Sequence, residues 1–397
     1  MSGKRTCLVL APRFPLPKRS GTQIREYHAL VELASRFDIT LVSLIQDSTA
    51  FDYISEVESL GVTVEPVSHE RSRRDALGHF CTSTDSYRVC RFVTPALRRR
   101  THRVLREQSF NLVWVNFATT VPALPPSVSA PVVVDEHNED VRYWESFLDG
   151  GVGTRLFARA NIWKLRRLRR TLTERVDGFL AVSDNDAERT RRWSRGIPVW
   201  TVPNGVDVQK FDSDKRAGAI DDTIQFVGSL DVRMNTDALS WFVENAWPFV
   251  REQRPNAVFQ IIGRNPTPSV EKLGTVGGVR VHGEVDRVVP WYESAALTVA
   301  PFRFGGGSKL KVLESLSMRR PVVSTPVGTV GLDVSDNAGV LVRDDPETFA
   351  DAVVGLLADS TKRTRLGDAG RQFVTERYAW EEIMAEGIDT IESALLE

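Results

Sequence analysis

Cysteine is scarce in this chain: Cys7, Cys81 and Cys90 are its only three in 397 residues. None shows the paired spacing of a metal site, and so few in so long a chain do not make a disulfide framework; a reducing cytoplasm is the expected setting. Long apolar runs are also missing. A spanning helix requires roughly 20 consecutive apolar residues, and no stretch comes near that. The segment from Met1 to Lys18 holds only the short run Cys7 to Ala11 before prolines and charges. It is therefore read as neither a signal peptide nor a span, and any membrane contact is expected to be peripheral. Net charge is nearly absent as well, at -1. That removes a whole-chain attraction to nucleic acid, which is not an expected partner.

What is present suits a globular protein with 42% hydrophobic and 26% charged residues, and 397 residues suit two domains better than one core. The charge is unevenly spread: up to Gly205 there are 30 Lys and Arg against 23 Asp and Glu, leaving that half near +7 and the remainder near -8. A basic face toward something acidic and a set of solvated helix faces both account for this. Short apolar runs alternate with longer amphipathic ones throughout, the signature of parallel strands with crossover helices. In the first half the strands are expected at Cys7 to Ala11, Phe37 to Leu44, Val62 to Val67, Leu112 to Asn116, Val132 to Asp135 and Gly178 to Val182. After the Pro-Asn-Gly turn in VWTVPNGV a second series begins: Ile224 to Val227, Val258 to Ile262, Val279 to His282, Leu297 to Ala300, Pro321 to Ser324 and Val340 to Val342. The organisation read from this is an α/β chain of two Rossmann-like doubly wound domains facing across a cleft. They span residues 1–203 and 204–378, with a last helix, 379–397, returning to the first. Ligands are expected at the carboxyl ends of the strands, in that cleft.

The richest local signal is PFRFGGGSKLKVLESLSMRRPVVSTP, Pro301 to Pro326. Three glycines there allow close backbone approach, and amides near Ser308 to Lys311 can open a helix toward phosphate, with Lys309 and Lys311 adding charge. Glu314, one turn on, can accept hydrogen bonds from sugar hydroxyls; the competing reading is a flexible turn with a surface Glu. In the first half, DEHNEDVRYWE puts His137 and Asn138 just past a strand end, as either reacting groups or structural partners of Asp135 and Glu136. Gly21 and Thr22 open the helix after the first strand, where their amides approach a ligand unless capping explains them. The segment Arg155 to Arg175 reads as a helix whose apolar face holds Leu156, Phe157, Ile162, Leu165 and Leu168 among many arginines. Such a helix faces either the core or an anionic membrane.

On these residues the chain resembles the retaining glycosyltransferases of family 4, which have the GT-B fold. The segments APRFPLPKRSGTQIREYHALVELASRFDITLVSL, TVPNGVDVQKF and Phe302 to Pro326 carry the resemblance. It is nearest to bacterial and archaeal sugar transferases of envelope polysaccharide pathways. The resemblance implies a nucleotide-sugar donor, a glycan or lipid-linked acceptor, and no metal or other cofactor. It implies a donor site at Gly228, Gly263, Arg264, His282, Val285, Gly306, Gly307, Ser308, Leu310 and Lys311, with the backbone of VHGEV rather than the imidazole of His282 facing the base. It further implies reaction-centre roles for His137, Arg233, Lys309 and Glu314, and sugar or acceptor contacts at Gly21, Thr22 and Asn138. Glu314 falls on the second Glu of the family's Glu-seven-Glu pattern, whereas the first falls on Gly306, and the family's Arg and Lys after the first donor-domain strand fall on Ser229 and Met234. A nucleotide-sugar epimerase of the same fold and a non-catalytic nucleotide-sugar-binding protein are the alternatives.

Overall fold

The computed structural model describes residues 4–46, 48–68, 71–137, 140–213, 222–305, 309–334 and 336–397. It divides into two compact units, Met1–Pro203 with Ile383–Glu397, and Asn204–Glu382. Among the described residues no helix is long and apolar enough to cross a membrane.

The first unit is built on seven parallel strands: β1 (Arg5–Ala11), β2 (Phe37–Ile45), β3 (Val62–Ser68), β4 (Leu112–Asn116), β5 (Val132–Glu136), β6 (Gly178–Ala181) and β7 (Val199–Thr201). They lie in the order β3-β2-β1-β4-β5-β6-β7. Strands covered on both faces must be apolar throughout, and β4, LVWVN, is buried along its whole length. The order reverses between β1 and β4, so the loops after these two strands diverge and leave a crevice at their carboxyl ends. The helix Gly21–Arg36 starts there, its first turn capped by Ser20, whose hydroxyl accepts from the Gln23 amide. Most of the helix Trp380–Leu395 belongs to this unit; Asp389 and Glu392 accept from Arg36.

The second unit repeats the plan with six parallel strands: β8 (Thr223–Val227), β9 (Val258–Ile262), β10 (Val279–Gly283), β11 (Leu297–Ala300), β12 (Val322–Ser324) and β13 (Val340–Val342). Their order is β10-β9-β8-β11-β12-β13. The switch point is between β8 and β11. The loops after these strands carry Gly228 on one side and the glycine run on the other.

One expectation about the arginine-rich segment is corrected. The helix runs Val152–Leu172, and Leu156, expected on one apolar face with Ile162 and Leu165, is 60% exposed, as Trp163 is at 58% and Val152 at 65%. Ile162 and Leu165 do face inward and pack with Val141. With 21 residues and two apolar stripes, the helix uses one for the core and leaves the other in solvent.

Candidate functional site

In the second unit the loops after β8 and β9 touch through glycine. A Cβ built on Gly263 would lie 1.7 Å from the Gly228 carbonyl oxygen, so only glycine permits this approach. The Gly228 amide donates to Ile262 O at 3.0 Å and the Gly263 amide to Gly283 O at 2.8 Å, which ties the loop ends of three neighbouring strands together. Arg264 follows; its Nε donates to Ser229 Oγ at 3.2 Å.

Lys311 reaches this loop from the other side of the switch point. It stands in the first turn of the helix Leu310–Ser317, for which Lys309 is the N-terminal flanking residue and no side chain caps the exposed amides. Its ammonium lies 3.7 Å from the centre of the Phe226 ring, 4.8 Å from that of Phe302, and donates to Asn235 Oδ1 at 3.0 Å. Asn235 in turn donates to Ser229 O at 2.7 Å. A Cβ on Gly228 would meet this ammonium at 2.6 Å, so the missing side chain there makes room for the cation. Burial pushes the Lys311 amine well below the ordinary lysine range, Lys309 pushes it the same way, and Glu314 opposes both. Buried Lys309 lies on the same ring, its ammonium 5.5 Å from the Phe302 centre. Two lysine side chains thus flank one aromatic ring at the start of this helix.

Glu314 accepts a hydrogen bond from the buried Tyr292 hydroxyl at 2.9 Å. Burial raises its pKa, outweighing Tyr292, Lys210 and Lys311, which lower it. The other expected residues have the following settings. Arg233 is exposed, its guanidinium 5.3 Å from the Phe304 ring centre. The His282 ring lies on Trp291 at 4.3 Å on the edge strand β10, and Val285 follows it, half-buried. Leu310 is the first helical residue and is half-buried. Gly306, Gly307 and Ser308 lie outside the described residues.

The first unit gathers a separate polar cluster at its switch point. Arg25 and Asp135, both fully buried, pair through two guanidinium nitrogens at 2.7 and 3.0 Å, and Arg25 also donates to Val202 O and Pro203 O. Burial alone would raise the Asp135 pKa; the Arg25 guanidinium, with His137 beside it, reverses that and holds the carboxyl ionised. His137 Nε2 lies 3.2 Å from Asp135 Oδ2, and its ring packs on Phe117 at 4.4 Å. Burial lowers the His137 pKa more than Asp135 raises it, with Arg25 and Arg88 adding to the lowering, so the ring is neutral near pH 7. Phe117 has φ 67°, a left-handed conformation costing about 1–3 kcal/mol for a non-glycine residue. The Arg88 guanidinium lies over the Phe117 ring, 4.4 Å from its centre, and pairs with Asp140. Gly21 and Thr22 begin the nearby helix, and Asn138 lies outside the described residues. Ser183 caps the helix Asp184–Ser194.

Both units match known families. The model described as Glycosyltransferase Family 4 matches residues 46–210, and the one described as Glycosyl transferases group 1 matches residues 221–359. Each unit thus resembles a glycosyltransferase domain, the first that of family 4 and the second that of group 1. A D-inositol 3-phosphate glycosyltransferase of Xylanimonas cellulosilytica is 30% identical over 224 residues, 49% of this chain and 51% of that one. The chain thus spans about half the length of this relative. A GDP-mannose-dependent monoacylated alpha-(1-6)-phosphatidylinositol monomannoside mannosyltransferase of Corynebacterium glutamicum is 24% identical over 75% of this chain and 80% of its own. Among solved structures, Anabaena Alr3699/HepE in complex with UDP-glucose superposes with a TM-score of 0.68 at 12% identity, covering 98% of this chain and 99% of that one. The likeness is one of fold: GT-B, with two parallel-sheet α/β domains.

The sequence reading missed Glu26, Arg88, Phe117, Asn235 and Tyr292. Asn235 stands among other polar residues in DVRMNTDAL and carried no distinguishing signal. Arg88 and Phe117 lie in segments with no motif.

Proposed function

We propose that the chain is a hexosyltransferase. It moves a sugar from a nucleoside-diphosphate sugar held by the second unit to a glycan or lipid-linked acceptor, with retention of anomeric configuration and a role in envelope polysaccharide synthesis. The observation that carries the reading is Lys311: an ammonium from the helix start after β11, delivered beneath the glycine loop after β8. It supplies the cation that Ser229 and Met234 do not. Departure of a nucleoside diphosphate develops negative charge on its leaving oxygen, and preorganised cations and amides stabilise that charge without reorganising. Lys311, Lys309 and Arg264 fill that role, Glu314 holds the donor's hydroxyls, and neutral His137 is the reaction-centre group of the first unit. The charge at the diphosphate then comes from the chain itself, and the reaction needs no metal. The mannosyltransferase and inositol-phosphate glycosyltransferase relatives and the UDP-glucose complex of HepE support the donor class.

The acceptor side is read as a lipid-linked substrate met at the cytoplasmic face of a membrane. Support comes from the helix Val152–Leu172, which exposes Val152, Leu156 and Trp163 among the exposed Arg155, Arg159, Arg166, Arg167 and Arg170. The test of the whole reading is product analysis in EDTA, with UDP-glucose or GDP-mannose given with and without a membrane lipid extract. Label passing to the lipid fraction only when extract is present supports transfer. Conversion of the free donor sugar without acceptor identifies an epimerase instead.

A further inference from the structure

We propose that Glu26, beside His137 and Arg88 in the first unit, binds neighbouring hydroxyls of the acceptor's sugar or polyol ring. The inference rests on the transferase reading above and adds to it the residue that selects the acceptor.

Glu26 follows Arg25 in the helix Gly21–Arg36, and consecutive helical residues point about 100° apart. Arg25 therefore turns to Asp135 while Glu26 looks elsewhere. Its side chain is 3% exposed, and neither carboxyl oxygen has a hydrogen-bond partner among the described residues. Buried polar atoms almost always find partners, because leaving a carboxyl dry and unpaired forfeits its hydration for nothing in return. Among the described residues His137, 4% exposed, has no hydrogen-bond partner at Nδ1, its Nε2 lying 3.2 Å from Asp135 Oδ2, and Asp140 Oδ2 has none either. Arg25, the residue before Glu26, pairs with Asp135, whose carboxylate lies 3.2 Å from His137 Nε2, and Arg88 stacks on the Phe117 ring that His137 also packs against, so these groups gather at the carboxyl ends of β1, β4 and β5. Burial also pushes the Glu26 carboxyl upward, opposed by Arg13 and Arg88.

The chemistry of these open atoms selects the ligand. Carboxyl oxygens accept, often from two adjacent hydroxyls at once, and an imidazole nitrogen accepts or donates to a third. A vicinal polyol matches that set, and an apolar group matches none of it. Glu26 is thus a positioning and specificity group for the acceptor ring, with no part in the donor site, which belongs to the other unit's residues.

The test is saturation-transfer NMR of methyl α-D-mannopyranoside, methyl α-D-glucopyranoside and myo-inositol against wild type, Glu26→Gln and Glu26→Leu, each with excess UDP or GDP, alongside calorimetry of the nucleotide. At least one polyol is expected to show transfer to the wild type, weakened several-fold in Glu26→Gln and lost in Glu26→Leu. Nucleotide Kd should stay within twofold, and the Glu26→Leu melting temperature should equal or exceed the wild type's, since a dry unpaired carboxyl is removed. A residue with only a structural role would give the reverse, a lower melting temperature with transfer kept. Absence of transfer to all three in the wild type, or equal transfer in Glu26→Leu, overturns the proposal. Failure of any nucleotide to bind the wild type instead refutes the transferase reading beneath it.

Discussion

Replacing Lys311 by Met keeps a long apolar stem over Phe226 and Phe302 and deletes the ammonium that donates to Asn235. If that ammonium meets the donor's diphosphate, the variant loses a charge-assisted hydrogen bond, worth about 1.5–3 kcal/mol. At 1.4 kcal/mol per tenfold, nucleoside-diphosphate Kd should rise roughly 10- to 150-fold. The pH dependence has a definite sign. Burial and Lys309 depress the Lys311 pKa in the free protein, and a bound dianion raises it again. Binding therefore takes up a proton wherever the free protein has already lost it, and affinity falls as pH rises through the depressed value. In the free protein the unfolded chain holds this proton to higher pH than the folded one, so stability climbs as pH rises from the folded pKa toward lysine's ordinary value. Calorimetry of UDP and GDP in two buffers of different ionisation enthalpy measures both effects. A Kd unchanged in Lys311→Met, together with buffer-independent enthalpy in the wild type, would refute the assignment.

Three further outcomes are expected. Gly263→Ala forces the β8 and β9 loops apart, because its Cβ would sit 1.7 Å from Gly228 O; thermal unfolding should register a loss of more than about 1 kcal/mol, with weakened nucleotide binding, and a wild-type melting temperature would contradict this. His137→Ala should lower kcat by at least tenfold with nucleotide Kd unchanged. Because burial lowers the His137 pKa, kcat/KM of the wild type should show no histidine inflection above pH 6.5. Replacing the exposed Arg159, Arg166, Arg167 and Arg170 with Gln should weaken cosedimentation with anionic vesicles, each cation near the surface being worth about 1 kcal/mol; Arg169 is left in place because it stacks on Trp193 at 4.7 Å.

The sheets were legible because each strand is a short apolar run closed by a polar turn; β4, β9, β11 and β13 stand at the residues the pattern picks out. The position of the Lys311 ammonium was not legible. It depends on β8 lying beside β11, a pairing across some seventy residues that no local pattern encodes. Glu26 was hidden for a related reason: nothing in IREYHALVEL distinguishes it from a solvated helical charge, and only the tertiary fold buries it. The second stripe of the helix Val152–Leu172 misled the reading of Leu156, since periodicity reports that a face is apolar and not which side of the helix is covered. Glu314 was placed by resemblance; its bond to Tyr292 came from the fold.

The claim on which the rest depends is that the helix Leu310–Ser317 and the glycine loops beside it hold a nucleoside-diphosphate sugar. Calorimetric titration of UDP-glucose and GDP-mannose into the wild type and into Glu314→Ala tests it most directly, with thermal unfolding run on both. The expected result is micromolar to millimolar binding of one donor to the wild type and at least tenfold weaker binding to a Glu314→Ala chain that still unfolds cooperatively. Equal affinity in a folded Glu314→Ala protein would contradict the account.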